Sequence, residues 1–512
     1  MLPSYELRGR LFGLTAVAAV LIGIITICTW LWVHHSAPLL EIAKDRFSLS
    51  FVLALLVLLY FLLITARAAH EPQYSMFLIG RIQEVIFLRQ WGILVAPFIV
   101  LASLGIGYYK EPWQVPLSIV GWPAALYAVY GFIKDITGAW LRPIERERYF
   151  LLETARPESG EMLPSDTAIT PPEGCRRLEP SWRGRTLCVS ATTDWEVLNG
   201  FLISSKVNLE LQNSESILSK RELRSRANSY KLPQALLDYR QTALIHTRAK
   251  GGLLHNESKI RLCVDPAKLI QPSNTSPVEI QKTSYYLGVC SNELTRFEII
   301  GRDAPTRIGN DLFNFVRRKN NGVVIDLESS ELSNHMGGGT LAITPSGKML
   351  LSKQGRLNVI SPGLLVPSGS GSFDWRDQQV AAANFSTLIK TGLERELMEE
   401  CGFSSRDIAK TIVLGMGRDL ARGGKPEFFG VTLLARNEEI VQPTIKVAEV
   451  GFVDLHDDIE LALAKPEDIK MQLNAWLNQN RERCSTTLIV NLRLLIAASQ
   501  QVHAEIFSHI QG

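Results

Sequence analysis

The stretch Arg395-Glu396-Leu397-Met398-Glu399-Glu400-Cys401-Gly402-Phe403 decides how the C-terminal part of this chain reads. Glu396, Glu399 and Glu400 stand at i, i+3 and i+4, which on a helix share one face. Carboxylates crowded in this way repel one another, so the helix gains nothing from them alone. A hard cation that prefers oxygen ligands, such as Mg²⁺, resolves the conflict. Gly402 then stops the helix at its C-terminal end. The bland alternative, a solvated charged face, is common for acidic runs on helices.

Outward from this run the sequence is α/β in character. Thr340–Thr344 and Lys348–Ser352 read as a hairpin around the turn Pro345-Ser346-Gly347. Pro367-Ser368-Gly369-Ser370-Gly371-Ser372 is a Gly/Ser loop leading to the acidic helix. Phe428–Leu434 and Glu449–Leu455 read as strands. Ser485 caps a last helix, with Leu488, Leu492, Leu495 and Ile496 on one face. Gly337-Gly338-Gly339 and Gly423-Gly424-Lys425 lack the form of a P-loop.

The nonapeptide resembles the second half of the Nudix box, in which Arg-Glu-apolar-x-Glu-Glu-x-Gly-apolar follows a glycine and a glutamate. Every specified position of that half is met. The first half departs from the pattern. Counting back from Arg395 puts Thr387 at the glutamate position and Ala381 at the glycine position. The better glycine is Gly371, six residues before Asp377. That choice implies an insertion of about ten residues, within what loops tolerate.

The resemblance implies a Nudix αβα sandwich over residues 331–512. It implies that Glu396, Glu399 and Glu400 hold Mg²⁺ or Mn²⁺, and that Arg395 orients one of the carboxylates. Gly369, Gly371 and Arg395 become candidate nucleotide-binding residues. Glu399 and Glu449 become candidate catalytic acids, and Glu449 reads equally as a surface strand residue. The implied chemistry is attack of an activated water on the phosphorus of a pyrophosphate.

The N-terminal part reads differently. Of the whole chain, 46% is hydrophobic and the net charge is only +3, so no attraction to duplex nucleic acid follows from the total. Four apolar stretches, Leu11–Val33, Phe47–Ala66, Trp91–Tyr109 and Val115–Ile133, approach the ~20 residues that span a bilayer as a helix. Lys and Arg concentrate on one side of the expected spans (Arg8, Arg10, Arg67, Arg81, Arg89, Lys134, Arg142, Arg146, Arg148), against Lys44, Arg46 and Lys110 on the other. This distribution predicts cytoplasmic termini. The last pair of stretches also reads as a re-entrant hairpin. Met76–Leu88 reads as an interfacial helix or as an extension of the third span. No span carries an internal Asp, Glu, Lys or Arg, which argues against a transporter.

The expected fold class is therefore a four-helix transmembrane bundle (1–145) joined to a cytoplasmic α/β Nudix domain (331–512). A Pro-containing linker (146–185) and an extension of unknown fold (186–330) lie between them. Lys220, Arg221, Arg224, Arg226, Lys231, Arg240, Arg248 and Lys250 form a basic cluster in a stretch read as helical. It is a phosphate- or lipid-facing patch or, more simply, a solvated face. Seven scattered cysteines with no CxxC pair argue against a disulfide framework and a zinc site.

Two functions fit this reading. The architecture resembles transmembrane–Nudix effectors of bacterial cyclic-oligonucleotide (CBASS) anti-phage defence. That likeness implies an inner-membrane protein whose soluble part binds a nucleotide second messenger and whose membrane part, in contact with lipid, assembles as a homo-oligomer and disrupts the inner membrane. The alternative is a membrane-tethered, Mg²⁺-dependent Nudix hydrolase of nucleoside diphosphate derivatives.

Overall fold

A computed structural model describes residues 83–84, 86–87, 149–153, 173–178, 187–190, 194–249, 256–271, 273–301, 315–316, 322–354, 361, 363–380, 384–436 and 454–512. The chain divides into two units, one of Met1–Glu147 with Leu253–His255 and one of Arg148–Gly252 with Asn256–Gly512. In the first unit, Gln83, Glu84, Ile86 and Phe87 are helical.

The second unit carries sixteen described strands: β1 (Tyr149–Glu153), β2 (Cys175–Leu178), β3 (Leu187–Ser190), β4 (Trp195–Leu198), β5 (Phe201–Ser204), β6 (Leu223–Ser225), β7 (Ser258–Leu262), β8 (Val278–Ser284), β9 (Phe297–Gly301), β10 (Gly337–Ile343), β11 (Lys348–Lys353), β12 (Leu365–Val366), β13 (Gly369–Ser372), β14 (Ile408–Asp419), β15 (Lys425–Leu434) and β16 (Asp454–Glu460). Nine of them form one mixed sheet in the order β12-β11-β10-β15-β14-β5-β4, with β13 on β10 and β16 on β11. β10 and β15 run parallel, while β14–β15 and β10–β11 are antiparallel. β6, β8 and β7 make a separate three-stranded sheet, and β1–β9 and β2–β3 are pairs.

The central strands are buried on both faces. Ile412, Leu414, Phe429, Val431 and Leu433 point to one side, into a core shared with Leu473, Leu477, Leu488, Leu492, Leu495, Val502 and Ile506 of the helices Asp468–Asn480, Thr486–Ile496 and Gln500–Gln511. Val413, Met416 and Phe428 point to the other side. There they meet Phe385, Leu388, Ile389 and Leu393 of the acidic helix, with Val207, Leu211, Ile260 and Ile280. The alternation follows from the two-residue period of a strand. Each fully buried large apolar side chain contributes roughly 1.5–3 kcal/mol, so this double burial is the main source of stability.

The acidic helix is Phe385–Cys401, and its ends are set locally. Asn384 caps it by accepting from Thr387 N at 2.8 Å. Gly402 closes it in the left-handed region at φ 72°, which L side chains avoid. Cys401 at the last position donates to Ser368 O at 2.9 Å and ties the helix end to the segment before β13.

The structure corrects the expected fold class. Among the described residues no helix is long and apolar enough to cross a membrane, and the described chain is a mixed, sheet-rich α/β fold. The four apolar stretches themselves lie outside the described residues. The transmembrane bundle and the multi-pass inner-membrane location are therefore withdrawn. Hydropathy measures the drive to leave water, not the medium entered. In the described residues that drive is met by the two faces of the sheet.

Two further readings change. The basic cluster is not one helix: Arg224 lies in β6, and Arg224 and Arg226 pair with Glu279 of β8. Cys175–Leu178, within the expected linker, is a strand paired with β3.

Candidate functional site

The acidic helix packs against β13 at close range. A Cβ on Gly369 would fall inside contact distance of the Leu397 backbone, and one on Gly371 would strike the Glu396 carboxylate. These glycines, read from sequence as nucleotide-binding, thus bring strand and helix together. That approach delivers Ser370 N to Glu400 Oε2 at 2.7 Å.

Arg395 is the hub of the site. Its Nε donates to Asp377 Oδ1 at 2.9 Å, its Nη2 to Glu396 Oε1 at 2.8 Å and to Ser372 O at 3.0 Å, and its Nη1 to Glu399 Oε2 at 2.8 Å. Burial opposes the guanidinium charge, but Glu396, Asp377 and Asp374 outweigh it and hold its pKa above the ordinary value. Arg376 joins Glu399 (2.6 Å) to Asp374 (3.1 Å). Asp377 accepts from Asp374 N at 2.8 Å, which closes the turn Asp374–Asp377.

Glu396, Glu399, Glu400, Arg395, Gly369 and Gly371 are therefore brought to one edge of the helix–β13 contact. Glu449 lies outside the described residues. Three participants had no sequence signal as site residues: Asp374, Arg376 and Lys259. Lys259 Nζ lies 2.5 Å from Asp374 Oδ1 and 2.7 Å from Glu257 Oε2. Burial works against its charge, yet Glu257, Asp374 and Glu396 raise its pKa. Asp377 could have been picked out through its distance from Gly371.

Among the described residues no group of three or more His, Cys, Asp or Glu stands arranged to hold a metal ion, since Arg395 lies between the acids. The donor set nevertheless fits a hard divalent cation in kind. In the network of described residues, Glu257, Asp374, Asp377, Glu396 and Glu399 outnumber Lys259, Arg376 and Arg395. All the acids offer carboxylate oxygens, and the Glu399 side chain is 38% exposed.

No family model matches the chain, and no curated protein matches it. Among solved structures, the crystal structure of DR0079 from Deinococcus radiodurans is similar over 31% of this chain and 81% of that chain. The identity is 13% and the TM-score 0.21, a likeness too slight to carry an argument about fold or function.

Proposed function

We propose that the edge formed by Glu396, Glu399 and Glu400 is a Nudix-type site for the diphosphate of a nucleotide derivative, used with Mg²⁺ or Mn²⁺. The observation that carries this reading is the gathering of Glu396 and Glu399 with Asp374 and Asp377 around a single arginine, beside Glu400 held by Ser370 N. The match of Arg395–Phe403 to the second half of the box supports it. Glu396, Glu399 and Glu400 would hold the cation. When bound, the cation supplies charge neutralisation of the diphosphate and activation of water.

The chain's own residues do the rest. Arg395 holds Glu396 and Glu399 in fixed rotamers, and Ser370 N fixes Glu400. Arg376, with 61% of its side chain exposed, is the cation best placed to meet a phosphate from solvent. The same face also suits a cyclic oligonucleotide received as a signal, since binding and turnover differ only in where a water is placed.

The test uses the full-length protein with Mg²⁺ or Mn²⁺ against nucleoside diphosphate derivatives and cyclic oligonucleotides. Product formation that is lost in Glu400→Gln supports the hydrolase. Tight binding of a cyclic oligonucleotide without product supports the receptor. Neither binding nor product removes both readings.

A further inference from the structure

Residues 332–336 form a strap that enters β10 and is tied to two neighbours. To β7, Met336 N donates to Ile260 O (2.7 Å), Leu262 N to Asn334 O (3.2 Å) and Arg261 Nε to Leu332 O (3.1 Å). To the segment after the helix Tyr285–Val289, Ser333 N donates to Ser291 Oγ (3.1 Å) and Asn334 N to Asn292 Oδ1 (2.7 Å). Asn334 takes the left-handed backbone at φ 40°, which residues other than glycine seldom adopt.

The His335 ring joins in none of these bonds. It is 1% exposed, and neither nitrogen has a hydrogen-bond partner among the described residues. It rests against Gly288 of the helix Tyr285–Val289: a Cβ there would fall 2.3 Å from its Cε1 and 2.5 Å from its Nδ1. The Tyr285 ring meets it edge-on, with centroids 6.4 Å apart. The charged groups that face it are Lys425, Arg422 and Lys259, with Arg261 opposite it on β7. Two acids border these cations and are already taken. Glu427 accepts from Lys425 and from Arg422 (2.9 Å), and Glu293 from Arg422 and Arg296 (3.5 Å). A neutral imidazole in this place forgoes hydrogen bonds, whereas an imidazolium is a buried charge among cations.

We infer that His335 is an acid-released latch: seated against Gly288, the neutral ring joins the strap to the helix Tyr285–Val289, and protonation expels it, parting the two while the central sheet stays folded. The helix is five residues long and meets the ring across a bare glycine. β14 and β15, by contrast, are paired with each other along their whole length and buried on both faces, so they open last. Phe373 N donates to Met336 O at 2.9 Å, so the strap is one hydrogen bond from the segment that carries Asp374. The latch is independent of the proposed cation site.

The experiment is amide hydrogen exchange of the full-length protein at pH 7.5 and 5.5, read by mass spectrometry and corrected for the intrinsic rates. In the parent, amides of residues 285–292 and 332–336 are expected to exchange ahead of those of β14 and β15 at both pH values. Their opening constant should rise about tenfold from pH 7.5 to 5.5, as one histidine of ordinary pKa 6.5 takes up its proton in the open form. His335→Gln, which cannot be charged, should lose that rise. Gly288→Ala displaces the ring and guards against His335→Gln failing to fold. It should speed exchange of the same amides already at pH 7.5. The same rise in His335→Gln, no rise in the parent, or unchanged exchange in Gly288→Ala overturns the inference. So does exchange of these amides in step with β14 and β15, which would mean that the unit opens only as a whole.

Discussion

Arg395 Nε donates to Asp377 Oδ1 at 2.9 Å, joining residues eighteen positions apart in the chain. Between them lie the rest of the short helix Asp377–Val380, the segment 381–383 outside the described residues, and nearly three turns of the acidic helix. The contact fixes where that helix begins its acidic edge, and it closes a network that includes Glu396, Glu399 and Asp374.

Removing this hub should be costly. The Arg395 side chain is 11% exposed and is shared among several acids. Arg395→Met should lower stability by about 3 kcal/mol in urea denaturation, because buried carboxylates lose their counter-ion. Arg395→Lys keeps the charge but cannot reproduce the planar set of donors, and should cost about 1–2 kcal/mol. A loss below about 0.5 kcal/mol for both, the range of an ordinary surface substitution, would show that the network is not structural.

The two glycines of β13 should differ in their tolerance of alanine. At Gly371 the new methyl meets the end of the Glu396 side chain, which can move. At Gly369 it meets the Leu397 backbone, which cannot without lifting the helix. Gly369→Ala should therefore cost more, roughly 2–3 kcal/mol against about 1 kcal/mol. Thermal melts of the two variants decide the order, and equal melting points would argue against the close strand–helix approach.

His335 should make stability fall in acid. Its ring is 1% exposed and neither nitrogen has a hydrogen-bond partner among the described residues. Burial first, and then Lys425, Arg422 and Lys259, push its pKa well below the ordinary 6.5. The unfolded chain therefore takes up a proton below pH 6.5 that the folded chain refuses. Stability from this group is complete above that pH and declines by up to about 1.4 kcal/mol per pH unit below it. His335→Gln should flatten the slope of urea-denaturation stability between pH 7.5 and 5.5 by about that amount. An identical slope in parent and variant would mean that the ring is not kept neutral.

What could be read from the sequence was local. Gly402 ends the acidic helix, Pro345-Ser346-Gly347 turns β10 into β11 with Gly347 at φ 85°, and Ser485 caps the Thr486–Ile496 helix by accepting from Leu488 N. Each depends on a few neighbouring residues. The Thr486–Ile496 helix is not the last, because Ser499 caps another, Gln500–Gln511. The three glycines Gly337-Gly338-Gly339 extend β10 ahead of the strand expected at Thr340–Thr344, and there Gly338 lets Phe373 and Leu393 close over the sheet. The long strand β14 carries no clear sequence signal because Gly415 and Gly417 interrupt its apolar run.

In the candidate site, the acids of one helix turn were legible and their partners were not. Lys259 reaches Asp374 across 115 positions, and no periodicity encodes such a pairing. The N-terminal apolar stretches invited a bilayer reading because hydropathy does not name the medium in which a side chain is buried. For the described part of the chain, that medium is the interior of a two-faced sheet.

The central claim is that Glu396, Glu399 and Glu400 form a cation-dependent phosphate site. Its most direct test is Mn²⁺ binding to the full-length protein, compared with Glu399→Gln and Glu400→Gln variants that retain the parent melting profile. The account predicts saturable binding in the parent, weakened at least tenfold by either substitution, since each removes a charged ligand. Mn²⁺ binding that is absent from the parent, or unchanged in both variants, would contradict it.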